Sequence, residues 1–162
     1  MDIQKLGEDI ANDFVSAASL AGLAISRSDV EVQALPAPHR APSSLPKGKL
    51  GVYVFLYGKR CLKVGKAGPK SSARFCSHHY RTNAPSTLAK SLLANYNEFG
   101  LTELRPSNIK DWICENTSRL NFLLPAKYGD FALSFLESFV QCRLRPEFEG
   151  FANQRQQSES AT

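Results

Sequence analysis

The chain has 162 residues, 43% of them hydrophobic and 22% charged, which suits one compact domain with a short arm and excludes a wholly disordered chain. Its formal charge of +5 and pI of about 9.1 suit a polyanionic partner, because Lys and Arg displace counterions from phosphates. No apolar run approaches the roughly 20 residues of a membrane span, and the acidic start MDIQKLGEDIANDF lacks the pattern of a signal peptide, so a cytoplasmic protein without membrane contact is expected.

Residues 3–23 read as an amphipathic helix. Ile3, Leu6, Ile10, Phe14, Val15, Ala18 and Leu23 recur at three- and four-residue steps, with Asp2 as the cap and Gly22 at the end. Such a stripe docks on its own domain or pairs with a second copy in a homodimer through residues 3–23. Residues 1–25 therefore form an N-terminal unit. Residues 26–48 follow as a Pro-rich linker or arm, with four prolines in ALPAPHRAPSSLPKG. The catalytic-looking part spans 49–150, and 151–162 is a polar tail.

The segment Leu50–Tyr57 is apolar and β-rich, Gly58-Lys59 is a turn, and Cys61–Gly65 is a second strand; together they predict a β-hairpin. Ser71 or Ser72 opens a helix to about Tyr80, and Thr82–Ser86 is a break. Residues 87–97 and a segment opened by Ser107 predict two more helices. Arg119–Leu124 is strand-like. Asp130–Arg143 predicts a helix apolar nearly all round, including Phe131, which marks it as buried. The fold class is α+β: a small antiparallel sheet of about three strands, including a hairpin, flanked by helices, with an extra helix at the N-terminus. Cysteines 61, 76, 114 and 142 form no C-x-x-C pair and no zinc-site spacing, so reduced thiols are expected.

The candidate chemistry lies on these elements. Gly51-Val52-Tyr53 is on the first hairpin strand and Lys63-Val64-Gly65 on the second, within cross-strand reach. Arg74 follows near the start of the next helix, with His78 one turn on and His79 beside it. Glu137 sits in the middle of the apolar helix, where a carboxylate is costly unless it is ligated or paired. Phosphodiester hydrolysis needs an activated water, a stabiliser of phosphate charge and help for the leaving oxygen. Tyr53 is the candidate general base or relay, and a neighbouring Lys63 would favour its phenolate. Arg74 offers a fork matched to phosphate oxygens. His78 or His79 positions the water or touches the phosphate. Glu137 is the one metal ligand for Mg²⁺ or Mn²⁺. Lys66, Lys70 and Arg81, among other basic residues around these motifs, form a nucleic-acid backbone footprint.

In this order the residues resemble the GIY-YIG nuclease superfamily over about 49–150. The resemblance implies a metal-dependent endonuclease acting on nucleic acid, DNA above all. Two departures stand out. Lys63 occupies the place where most members have Tyr, as some restriction-enzyme-like members do. The terminal Pro-x-Tyr-Asn string is here Pro146-Glu147-Phe148-Glu149, leaving Glu149 or Asn153 to take the place of the Asn. The competing expectation is a catalytically inactive nucleic-acid-binding module on the same fold.

Overall fold

A computed structural model describes residues 1–84 and 87–148 of the chain. Glu149, Asn153 and the polar tail 151–162 lie outside the described residues, as do Pro85 and Ser86 in the expected break.

The chain begins with α1 (Ile3–Leu20), capped by Asp2, whose carboxylate accepts from the Lys5 amide at 3.0 Å. Then come β1 (Glu31–Leu35), β2 (Lys49–Tyr57), β3 (Arg60–Ala67), α2 (Ser72–Cys76), α3 (Leu88–Ala94), α4 (Ile109–Asn116), β4 (Ser118–Pro125) and α5 (Gly129–Leu144). A 3₁₀ turn at His78–Tyr80 follows α2. The strands form one antiparallel sheet in the order β1-β4-β2-β3, leaving β3 at an edge. The fold is α+β as expected, with four strands where about three were anticipated. The extra one, β1, lies inside the stretch read as a linker and pairs with β4 from Glu31↔Leu123 to Leu35↔Arg119. Its sequence EVQAL is too short and too mixed to announce a strand; the partner decides it.

Alternation along the strands sends side chains to two cores. Val52, Val54, Val64, Leu120 and Phe122 pack with Ile10 and Phe14 of α1 and Leu133, Leu136 and Val140 of α5. Tyr53, Phe55, Leu62 and Leu123 pack on the other side with Phe75 of α2, Leu92 of α3 and Ile113 of α4. The apolar stripe of α1 is thus used within the chain. Gly7 permits this docking, because a Cβ there would stand 2.6 Å from Val32 Cγ1 on β1. Arg27, just after α1, ties back to the N-terminal half of the helix through an ion pair to Glu8.

α5 is less buried than its composition suggests. Its inward residues Ala132, Leu133, Leu136 and Val140 form one stripe. Phe131, expected inside, projects from the opposite side of the helix and is 91% exposed. The segment between β1 and β2 is held down along its length. The Ala37 amide donates to Ser118 Oγ at 3.1 Å, the His39 amide to the Cys114 carbonyl at 2.8 Å and the Leu45 amide to Ser72 Oγ at 3.2 Å. The four cysteines are free thiols.

Candidate active site

The β2–β3 hairpin and the segment just after it position the first group of residues. Antiparallel register sets Tyr53 opposite Gly65 and Phe55 opposite Lys63, all on the side covered by α2, α3 and α4. The ring of Tyr53 crosses the edge strand: a Cβ at Gly65 would lie 2.5 Å from Tyr53 Oη. Only glycine leaves room for the phenol there.

Tyr53 Oη meets His79 Nε2 at 2.6 Å. The other ring nitrogen, Nδ1, receives the backbone N–H of Leu88 at 3.3 Å. A nitrogen that accepts carries no proton, so in the neutral ring Nε2 holds it and donates to Tyr53 Oη. His79 stays neutral because burial holds its pKa far below the usual 6.5, at about 3, aided by the charges of Lys63, Arg119, Arg74 and His78. These four cations, or potential cations, therefore share one electrostatic neighbourhood with the Tyr53–His79 pair. Lys63 is buried at 5% exposure, and its Nζ reaches toward the Phe148 carbonyl at 3.5 Å. Arg74 is exposed on α2. Of the two histidines, His79 makes the bond to Tyr53, while half-buried His78 acts on it through charge.

Sequence reasoning missed Arg119. It is fully buried on β4, with its guanidinium 5.3, 5.1 and 4.7 Å from the ring centroids of Tyr53, Phe55 and Phe75. Its donors go to Asn121 Oδ1 at 2.8 Å, Tyr80 Oη at 3.2 Å and the Phe75 carbonyl at 2.6 Å. Tyr80 Oη in turn meets His39 Nε2 at 2.8 Å, and His39 Nδ1 meets the Thr117 carbonyl at 2.7 Å. A carbonyl only accepts, so His39 carries its proton on Nδ1 and Tyr80 donates to Nε2. Burial, with Arg119 nearby, depresses the pKa of His39 as well. No local sequence signal marks Arg119, since a strand Arg reads as solvated until the layer above it is known.

Glu137 is placed differently. It lies on α5, over the other side of the sheet, and its Oε2 is 2.8 Å from Lys66 Nζ. Lys66 also donates to Ser134 Oγ at 3.0 Å. The partner expected for a carboxylate on this apolar helix is thus Lys66, and the pair is half-buried. Lys66 pairs with Val52 and so points away from the Tyr53 side. The structure therefore does not bring Glu137 together with Tyr53 and His79: they lie on opposite sides of the sheet, Tyr53 over Gly65 and Glu137 on Lys66, the next residue of β3. Lys70 and Arg81 are exposed on the loop before α2 and on the segment after it.

Among the described residues no three His, Cys, Asp or Glu side chains group as a metal site. Glu137 alone suits only a hard cation that keeps its waters and takes substrate phosphate as further ligands, as Mg²⁺ and Mn²⁺ do. On that chemistry it fits, provided the Lys66 ammonium gives up the carboxylate. No helix among the described residues is long and apolar enough to cross a membrane. Comparison with protein-family models, with curated proteins and with solved structures finds no match to this chain.

Proposed function

We propose that this chain is a metal-dependent endonuclease hydrolysing phosphodiester bonds in nucleic acid, DNA above all, with a GIY-YIG-like set of residues. The observation that carries the reading is the buried Tyr53–His79 hydrogen bond beside Lys63. A phenol is a poor base in water, since its unperturbed pKa is about 10. A hydrogen-bond donor aimed at its oxygen and cations close by stabilise the phenolate over the phenol. His79 Nε2–H, Lys63 and Arg119 supply both, and they act against the burial of Tyr53, which by itself favours the neutral phenol. Tyr53 then takes the proton of the attacking water, directly or as a relay. Arg74, exposed beside this pair, binds the phosphate oxygens and balances the charge that builds there. Glu137 would hold Mg²⁺ or Mn²⁺, which supplies charge neutralisation at the phosphate and the leaving oxygen. Lys66, Lys70 and Arg81 contact the strand backbone on either side.

The Lys66–Glu137 ion pair favours a second reading, a nucleic-acid-binding module that does not cut. The two separate on one panel: plasmid, single-stranded DNA and RNA, each with Mg²⁺ or Mn²⁺. Cleavage that disappears in Glu137→Ala while nucleic-acid affinity persists supports the nuclease. Binding without product from any substrate supports the module, and a Glu137→Ala variant that cuts at full rate removes Glu137 from the chemistry.

A further inference from the structure

The segment that carries Arg74 and His79 also forms one wall of a cleft of which the proposed function uses only Arg81. This cleft, of about 390 Å³, lies between the arm joining β1 to β2 and the α2 region. Pro42 and Ser43 line it from the arm, Ser77 and Tyr80 from the segment around the 3₁₀ turn, and Arg81 and Lys110 bring positive charge. Its size falls at the lower end of small-molecule sites, which run from about 300 to 1,000 Å³. That is more space than a bare inorganic anion needs.

Two properties define an occupant. First, the charge is of one sign: no carboxylate among the described residues pairs with Arg81 or Lys110, although seven other ion pairs form. Second, the lining is mixed, with Ala41, Pro42, Ala73 and the buried Tyr80 beside serines. The site is also built before any ligand arrives. The arm is tied to α2 by the Leu45–Ser72 hydrogen bond, and the Tyr80 hydroxyl is held by Arg119 and His39. A preformed wall lowers the ordering cost of binding.

We infer that the cleft binds one nucleotide unit of the substrate strand, next to the phosphate held by Arg74. Its phosphate sits on Arg81 and Lys110, and its sugar and base lie against the Pro42 and Tyr80 walls. The choice of a nucleotide as ligand rests on the nuclease reading; the cleft itself does not.

The test is binding, not cleavage. A deoxynucleoside monophosphate, its nucleoside and inorganic phosphate are each titrated into the full chain, following thermal midpoint and amide NMR shifts. The monophosphate should raise the midpoint and move the amides of Ser43, Ser77 and Lys110. In Arg81→Gln/Lys110→Gln the affinity should fall at least about tenfold, since two charge-assisted contacts go. The unliganded midpoint should stay where it is, both side chains being exposed. No binding to the intact chain, equal binding to the double variant, or equal binding of inorganic phosphate alone would each overturn the inference. If the chain cuts nucleic acid yet ignores the monophosphate, this inference fails and the nuclease reading stands. If it binds the monophosphate in the cleft and cuts nothing, the cleft assignment stands and the nuclease reading fails.

Discussion

One hydroxyl group on the Tyr53 side of the sheet carries most of the chemical argument. Tyr53 Oη is 2.6 Å from His79 Nε2, on which Lys63 and Arg119 act by charge, and the Arg119 guanidinium lies 5.3 Å from the Tyr53 ring centroid. Tyr53→Phe removes that oxygen and keeps the ring. Under the proposed mechanism its cleavage rate should fall by about 10²- to 10⁴-fold, the span of general acid–base effects. It should also cost about 1–3 kcal/mol of stability, because the His79 N–H loses its acceptor in a buried place. Single-turnover rates and urea unfolding read the two effects separately. A rate within threefold of the parent chain would take Tyr53 out of the reaction. Arg119 belongs to the same scale. Among the described residues no carboxylate takes part in its hydrogen bonds, and carbonyl, amide and phenol oxygens accept from it instead.

The edge strand β3 is the element on which the candidate site turns. Gly65 leaves the gap that the Tyr53 phenol fills, and Lys66 holds Glu137 on the opposite side. Gly65→Ala should displace the Tyr53 ring, since its Cβ would fall within 2.8 Å of three ring or hydroxyl atoms. Expected are a loss of activity similar to that of Tyr53→Phe and a changed Tyr53 environment by NMR. A normal rate would show that the phenol's seat over β3 is dispensable. α1 makes the opposite case. It is a bound part of the fold, with Phe14 fully buried and ring-to-ring with Phe135 at 5.6 Å and Phe139 at 5.8 Å. Phe14→Ala should cost about 3–5 kcal/mol in denaturant unfolding. A cost under about 1 kcal/mol would mean that α1 is an appendage after all. Pairing of two copies through residues 3–23 would have to use the polar side of α1 and the exposed Leu20.

At the scale of the whole molecule, the buried neutral histidines tie stability to pH. His79 titrates at about 3 in the folded chain, and His39 is also depressed below 6.5. Unfolded, both take a proton near the ordinary value of about 6.5. Between those limits the unfolded chain binds protons that the folded chain refuses, so stability rises with pH there. The contribution is fully present above about 6.5 and drains away on acidification toward about 3. His79 alone gives a slope of up to about 1.4 kcal/mol per pH unit. Urea midpoints from pH 7.5 down to 4.5 should fall, and less steeply in His79→Gln, which has no ring to titrate. Equal slopes in the two proteins would count against a buried neutral His79.

Much of this was legible along the chain because its causes are local. The 3.6-residue stripe with Asp2 before it describes α1, and the Gly58-Lys59 turn between two apolar runs describes the hairpin. Tyr53, Lys63, Arg74 and the histidine pair could be singled out because they sit close together in sequence on recognisable elements. Other features had no local cause. β1 is a strand because β4 lies beside it, and Arg119 is buried because rings from β2 and α2 close over it. The proton position on His79 depends on the Leu88 amide, and the partner of Glu137 depends on how α5 lies against β3. Propensity and periodicity act over a few residues. Which polar groups meet inside the molecule is settled only when the sheet and both helical layers have closed.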